Sequence, residues 1–542
     1  VATITWTLSA DFDGDTVYET DLTPYIDMPG MDLRISRGIG RDGRRLTSRM
    51  TLTLSNRDGT FTPENSASSL FGLIAPGVPV KLMANYSAVD YTIWTGYAMS
   101  WKPTYRVGVP STCNVECEDL FWFLQNGGLV HVTAATTRDT DGALVAIMDA
   151  MGLTAGDRDF DDGVQDLPMH FAAGEKPLDA MTAVVASEMG GLLYPSATGQ
   201  IRFESRASRL GSTPGDTWGS GTDISPQEEE YDLNPLELFT SVVARATVFL
   251  TGQADTPIFE FSQNMFTKPT ATSMALAAGE VWQRTFQANS AYVALTTPDA
   301  VYDYTANDAQ AGTGTDRTSS LTPTVTDHGG NKFTLKLVNG HSGTIYVTKF
   351  RLRGQPVEFF ADRSEASFSL SMSGLPSGKG LEFDVPFAGD SGGKLRDYAY
   401  QELRVGRYPW PVLRLSFMAA FADEILAMLS VDLGDLISYT SASDLFQSAM
   451  VDDLWYVEAL DYTVPAGWAG ELFSIRVTLI PSYVYRNLDA IVFDTFDRAN
   501  ASGDLGTSFS GDAWSDDTGF DIASNAARPN STALQVPSMA VA

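Results

Sequence analysis

From the first residues of the chain, apolar and polar positions alternate in short runs. Val1–Leu8 is the first, followed by Asp32–Ser36, Met50–Leu54, Val78–Leu82 and Thr92–Tyr97. A period of two is that of a strand with one buried face. Turn-forming residues separate the runs: Arg41-Asp42-Gly43, Arg57-Asp58-Gly59 and Pro76-Gly77. Residues 1–120 are therefore expected to form an antiparallel barrel-like or sandwich domain. The stretch Asn56–Pro63 closes a strand with a turn that calls for Gly59 at positive φ.

Over residues 121–208 the period changes. Leu144, Ile147, Met148 and Met151 share one face of a helix predicted for Asp141–Met151, with Gly152 as its stop. Pro177 suits the first position of a second helix, whose stripe is Leu178, Met181, Val185 and Met189, ending at Gly190-Gly191. A hairpin pairing 192–195 with 200–204 completes a small α/β unit. Both Met-bearing stripes read as core packing. Residues 209–235 are acidic and rich in Gly, Ser and Pro, and are expected to be a linker or long surface loop. A β domain follows over 236–355, with 305–330 read as a mobile loop. Residues 356–489 read as a second barrel-like domain, with one helix at Lys394–Val405 that buries Leu395, Tyr398 and Leu403. Strands at 431–439, 454–462 and 473–481 close it as a meander. Residues 490–542 are a C-terminal extension. The fold class expected is mainly β and multi-domain: two barrel-like domains with an α/β and a β domain inserted between them.

Composition narrows the function. The chain has 542 residues, with 36 Lys plus Arg against 67 Asp plus Glu, a formal charge of −31. A broad phosphate-binding face is excluded by that balance, and attraction to anionic lipid is disfavoured. Cys113 and Cys117 rule out a disulfide scaffold. On one strand they would share a face but stand roughly 13 Å apart, too far for a bridge. His131, His170, His328 and His341 lie at no metal-ligand spacing and read as scattered surface or loop residues. The N-terminal run lacks the basic and apolar regions of a signal peptide. No apolar run approaches the ~20 residues of a membrane-spanning helix.

Motifs that could carry chemistry are incomplete. Gly389-Asp390-Ser391-Gly392-Gly393 has the form of a nucleophile turn, but no histidine follows Ser391, and the earlier ones lack a protease context. A phosphate loop is missing at Gly393-Lys394, where Ala388 and Leu395 occupy the required Gly and Ser/Thr positions. Asp11, Asp13 and Asp15 alternate as calcium ligands do, but Gly14 and Leu22 break the EF-hand spacing, which leaves a solvated turn. Asp157, Asp159, Asp161, Asp162 and Asp166 form a second acidic loop. No catalytic, cofactor or metal residue is assigned. Trp514 and Phe520 are candidates for stacking on a sugar ring.

The order of these pieces resembles a known family. Arg34–Gly38, Met50–Pro63, Gly77–Leu82 and Trp94-Thr95-Gly96 resemble the start of tail hub proteins of long-tailed phages, also called baseplate hub or minor tail proteins. Ala143–Gly152 and Pro177–Phe203 look like that family's inserted α/β domain, and Val431–Tyr439 with Leu454–Tyr462 like its closing barrel. The likeness covers residues 1–489. Phe493–Ala499 is similar to the opening of lectin-like β-sandwich modules. The resemblance implies a non-enzymatic virion protein at the tail tip, assembled in the bacterial cytoplasm. It further implies a homotrimer closing the tail tube and opening for DNA ejection. Implied partners are a distal tail protein ring, a tape measure protein, and a tail fibre or receptor-binding protein. Phage DNA would pass without stable binding. The terminal module points to host surface glycan, so the alternatives are a glycan-binding adhesin or a polysaccharide-degrading enzyme.

Overall fold

The computed structural model describes residues 3–26, 33–39, 48–106, 109–233, 241–260, 274–359, 364–369, 380–387, 394–406, 411–441, 454–465 and 473–482, together with four short strands between 514 and 539. Thirteen strands form one mixed sheet. Its path runs from Glu228–Leu233 through Pro411–Met418, Ser474–Pro481 and Leu454–Val464 to Leu33–Gly38. It then continues through Arg49–Ser55, Val109–Glu118, Val89–Arg106, Val78–Tyr86 and Thr5–Ala10 to Thr20–Asp21. Leu436–Thr440 branches from Leu454–Val464 and carries Asp216–Gly219 in parallel.

The expected alternation is realised residue by residue. In Val78–Tyr86 every second side chain is buried. Gly59 has φ +75° and closes the Asn56 turn, where the Asn56 side chain accepts from Phe61 N at 2.9 Å. The last strands pair as the predicted meander, Leu436–Thr440 to Leu454–Val464 to Ser474–Pro481.

The expectation of two barrel-like domains is corrected. Among the described strands no barrel closes, and the two runs are one sheet. Leu33 pairs with Val464 and Gly38 with Ala459, antiparallel. Beneath them lies a shared core containing Trp6, Ile35, Trp94, Trp218, Leu415 and Phe473. The Trp6 and Phe473 rings meet edge-on at 5.4 Å. Alternation specifies which face a strand buries but not which strand lies beside it, so the joining was hidden.

The segment 209–235 is also different from its expectation. It holds the end of helix Arg206–Gly211 and the strands Asp216–Gly219 and Glu228–Leu233, and it buries Trp218 completely. Residues 305–330 are likewise structured, with strands at Tyr304–Asn307 and Leu321–Asp327. There the polar side chains make the turn. Asn307 Oδ1 accepts from Ala309 N and Gly314 N, and Asp316 accepts from Thr318 N.

Three units sit on this sheet. The α/β unit packs helices Thr140–Ala150 and Pro177–Ala186 through Leu144, Ile147, Met148, Leu178 and Met181. Asp139 caps the first by accepting from Gly142 N. The second ends at Ser187, before the expected Gly190-Gly191. In the β unit, Ile345–Phe359 is the shared strand of a six-stranded sheet over Phe259, Tyr292, Phe333 and Phe350. Helix Lys394–Gly406 lays Leu395, Tyr398 and Leu403 on Val242 and Ala244. No helix among the described residues is long and apolar enough to cross a membrane.

Gly96 marks a tight point of the large sheet. A Cβ there would collide with the Trp94 ring and stand 2.5 Å from the Glu118 carbonyl oxygen. Gly96→Ala is expected to destabilise the chain by about 2–3 kcal/mol, read as a fall in the denaturation midpoint.

Candidate functional site

The α/β unit is fastened to the large sheet by a polar joint. Arg37, buried on Leu33–Gly38, donates from Nη2 to Asp432 Oδ1 at 2.5 Å and to the Pro195 carbonyl at 3.3 Å. The second oxygen of Asp432 accepts from Ala197 N at 3.4 Å. Asp432 N in turn donates to Asp435 Oδ2 at 2.7 Å. Between these acids Gly434 takes φ +84°, and a Cβ there would stand 2.5 Å from Tyr194 Oη and 3.0 Å from Glu204 Oε2. The joint continues outward. Arg209 Nε donates to Glu204 Oε2 at 2.8 Å, Tyr456 Oη donates to the Arg209 carbonyl at 2.6 Å, and the Arg209 guanidinium lies 4.8 Å from the Tyr456 ring centroid. The hairpin of the inserted unit is thus locked into strands from both ends of the chain.

A second joint lies at the start of the same unit. Asp119 caps helix Leu120–Asn126 by accepting from Phe121 N at 2.8 Å, and its other oxygen accepts from Ser48 N. Ser48 Oγ receives Trp94 Nε1 at 2.6 Å. Burial pushes the Asp119 carboxyl up to about 7, against the N–H groups of Ser48 and Phe121. Burial likewise raises Asp435 to about 6, opposed by the Asp432 N–H and reinforced by Asp432, Glu204 and Asp216. In the β unit the balance is opposite. Burial pushes Asp303 up, but donors from Arg353, Asp299 N and Arg351 outweigh it and hold the carboxyl at about 2.

These arrangements hold elements at fixed angles; none has the layout of a nucleophile with its base. His328 Nε2 does lie 2.7 Å from Thr334 Oγ1, but Thr334 is buried in a sheet and its Oγ1 also bonds Thr285 Oγ1.

The residues singled out by sequence fall as follows. Gly389–Gly393 with Ser391 lies outside the described residues. Trp514 is on a two-residue strand paired with Ser538–Met539, and Phe520 on one paired with Ala527–Pro529; their side chains lie outside the description. Asp11, Asp13, Asp15 and Glu19 each bring a carboxylate oxygen to within 4.8 Å of the others, and among the described residues this is the one group that could hold a hard cation. Asp11 is itself buried and already receives Gly14 N at 2.7 Å and Thr16 N at 2.9 Å. In the second acidic loop Asp157 caps Thr154, while Asp159 and Asp161 share the Arg202 guanidinium. Cys113 and Cys117 are free and buried on Val109–Glu118, and burial raises both thiols, Cys113 to about 11. One reading is corrected: His170 is not a surface residue. It is fully buried, 3.1 Å from Arg138 Nη1 and edge-on to Phe387 at 5.1 Å. Nothing local in the sequence marked the partners of Arg37 and Asp432, which come from distant segments, whereas Asp119 stands directly before the helix it caps, a local signal that sequence reasoning missed.

Neither a protein-family model nor a curated protein matches this sequence. Solved structures similar to it include the 43 kDa tail protein of prophage MuSo2 from Shewanella oneidensis, at 9% identity and a TM-score of 0.45, over 89% of this chain and 99% of that one. A tail protein from Neisseria meningitidis MC58 matches at 9% identity and a TM-score of 0.45, over 89% of this chain and 98% of that one. The prophage tail protein gp18 from Listeria monocytogenes matches at 9% identity and a TM-score of 0.40, over 88% and 94%.

Arg37→Ala would leave Asp432 facing Pro195 without its cation. Water reaches Asp432 in part, so the expected loss is about 2 kcal/mol, measured by chemical denaturation. The raised carboxyl of Asp119 has a defined sign: its buried charge costs stability above about pH 7, and the cost fades as pH falls toward its ordinary value near 4. The melting temperature of Asp119→Asn minus that of the native chain is therefore expected to be most positive at pH 8 and to shrink toward pH 5. A difference that grows on acidification would contradict the assignment.

Proposed function

We propose that this chain is a structural tail hub protein of a phage tail tip. In this reading three copies form a ring that closes the tail tube, anchors the distal tail protein ring and a fibre or receptor-binding protein, and holds the tape measure protein behind it. The ring opens for DNA ejection, and DNA passes without being held. The observation that carries the reading is the seam of Leu33–Gly38 with Ala459–Val464, which makes one wide sheet from the two ends of the chain and hangs the inserted units outside it. Such a sheet offers long curved walls for a ring, and subunits can meet at its strand edges. The charge of −31 suits a conduit for a polyanion, since like charge keeps phosphates from sticking.

Light scattering tests it. Three copies of a 58.6 kDa chain give about 176 kDa. That mass, with ring-shaped particles in negative stain, is the expected result. A monomer at micromolar concentration that is retained on host glycans would favour an adhesin instead.

A further inference from the structure

The α/β unit and the β unit touch where a two-glycine turn meets a strand edge. Gly329 and Gly330 have φ +82° and +57° and join Leu321–Asp327 to Lys332–Asn339. A Cβ on Gly329 would stand 2.9 Å from both the His131 carbonyl oxygen and Thr133 N, and one on Gly330 would overlap the Ala172 carbonyl oxygen. Backbone therefore lies on backbone, and only glycine fits there. From its own side the turn is held rigid. Gly329 N donates to Asp327 Oδ1 at 2.7 Å, Tyr292 Oη donates to Asp327 Oδ1 at 2.7 Å and to the Lys332 carbonyl at 2.8 Å, and Tyr292 N donates to the Gly330 carbonyl at 3.1 Å.

His131 stands at this contact, on Val130–Ala135. Its Nδ1 is shut off from water and has no hydrogen-bond partner among the described residues. A proton there would create a charged donor with nothing to receive it. We propose that the seat of the Gly329-Gly330 turn on the His131 edge is a proton-sensitive latch between the α/β unit and the β unit, closed while His131 is neutral and opened by its protonation.

The groups around His131 fit that role. Burial is the largest influence and lowers its pKa; Lys332 and His328 on the facing hairpin lower it further, and Glu175 on the paired strand opposes them. Asp327, beside His328, is committed to Tyr292 and Gly329. His170, in the same two-stranded piece, is held neutral at about 3 by burial and Arg138, so it does not titrate with the latch. Closure itself comes from an apolar seat next to the turn: Ala134 and Met169 against Ala291 and Val357, with the Phe171 ring edge-on to Phe249 at 5.0 Å. That attraction is independent of pH. Because the folded value is depressed, the neutral form holds the joint fully above about pH 6.5 and loses its hold as pH falls below it.

Hydrogen–deuterium exchange on the full chain tests the latch, at pH 7.5 and pH 5.5 with rates corrected for intrinsic pH dependence. Amides of 130–135 and 327–333 are expected to exchange at least about twofold faster at pH 5.5. In His131→Gln the two rates should be equal, and Gly330→Ala, which props the joint open, should be fast at both. Equal or slower exchange at pH 5.5 in the native chain would overturn the proposal, as would the same acceleration in His131→Gln. Should that variant fail to fold, exchange at the imidazole C2 of His131 in the native chain gives its titration directly. Its midpoint must lie below about 6.5, and the amides must accelerate between about pH 6.5 and that midpoint; acceleration outside that interval overturns the latch.

Discussion

The pairing of Leu33–Gly38 with Ala459–Val464 is the contact on which the rest of the structure depends. It brings together segments more than four hundred residues apart. Loop-closure entropy grows only as the logarithm of loop length, so the long interval adds little to the cost beyond what a shorter one would impose. What the pairing needs is that the interval fold into units whose ends return to the sheet. They do. The α/β unit leaves after Glu118, at the end of a sheet strand, and its chain returns at Asp216–Gly219 beside Leu436–Thr440. The β unit sits between Glu228–Leu233 and Pro411–Met418, which are themselves paired. Each unit has its own apolar core, so its folding does not wait for the seam.

Charge holds the joint of the α/β unit to the large sheet, and arginine–carboxylate pairs also lie inside the units. Arg37, Arg49, Arg202, Arg209, Arg351 and Arg353 each meet at least one carboxylate. A buried ion pair adds little net stability over an apolar contact of the same shape, but it is intolerant of misplacement.

Period and punctuation made the elements of this fold legible. Val78–Tyr86, the helix at Thr140–Ala150 and the turn at Gly59 follow from alternation, an apolar stripe with a glycine stop and a glycine at positive φ. Pairing was not legible. Trp218 looked like part of a polar linker because the strands that bury it lie two hundred residues further on. The 305–330 segment looked mobile because Asn307, Asp308 and Asp316 are polar, yet each makes the hydrogen bonds that fix its turns. His170 looked exposed, and only Arg138 and Phe387 make its burial tolerable. Side chains whose role is to satisfy a distant partner carry no local signature, and the joints consist of such side chains.

The signs of the perturbed groups separate the frame from what hangs on it. Asp119 and Asp435 sit in the joints of the large sheet, and burial raises both, so a fall from pH 8 to pH 5 removes a cost there and firms the frame. His131 sits between the two inserted units and is depressed, so the same fall loosens that contact. Asp303, held at about 2, stays charged throughout and keeps its pairing with Arg351 and Arg353 inside the β unit. Acidification therefore acts on connections and not on cores, tightening the seam-bearing sheet while freeing the β unit from its neighbour. The frame and its attachment thus show a division in their response to acid. It arises here because carboxylates were buried at one set of joints and an imidazole at another.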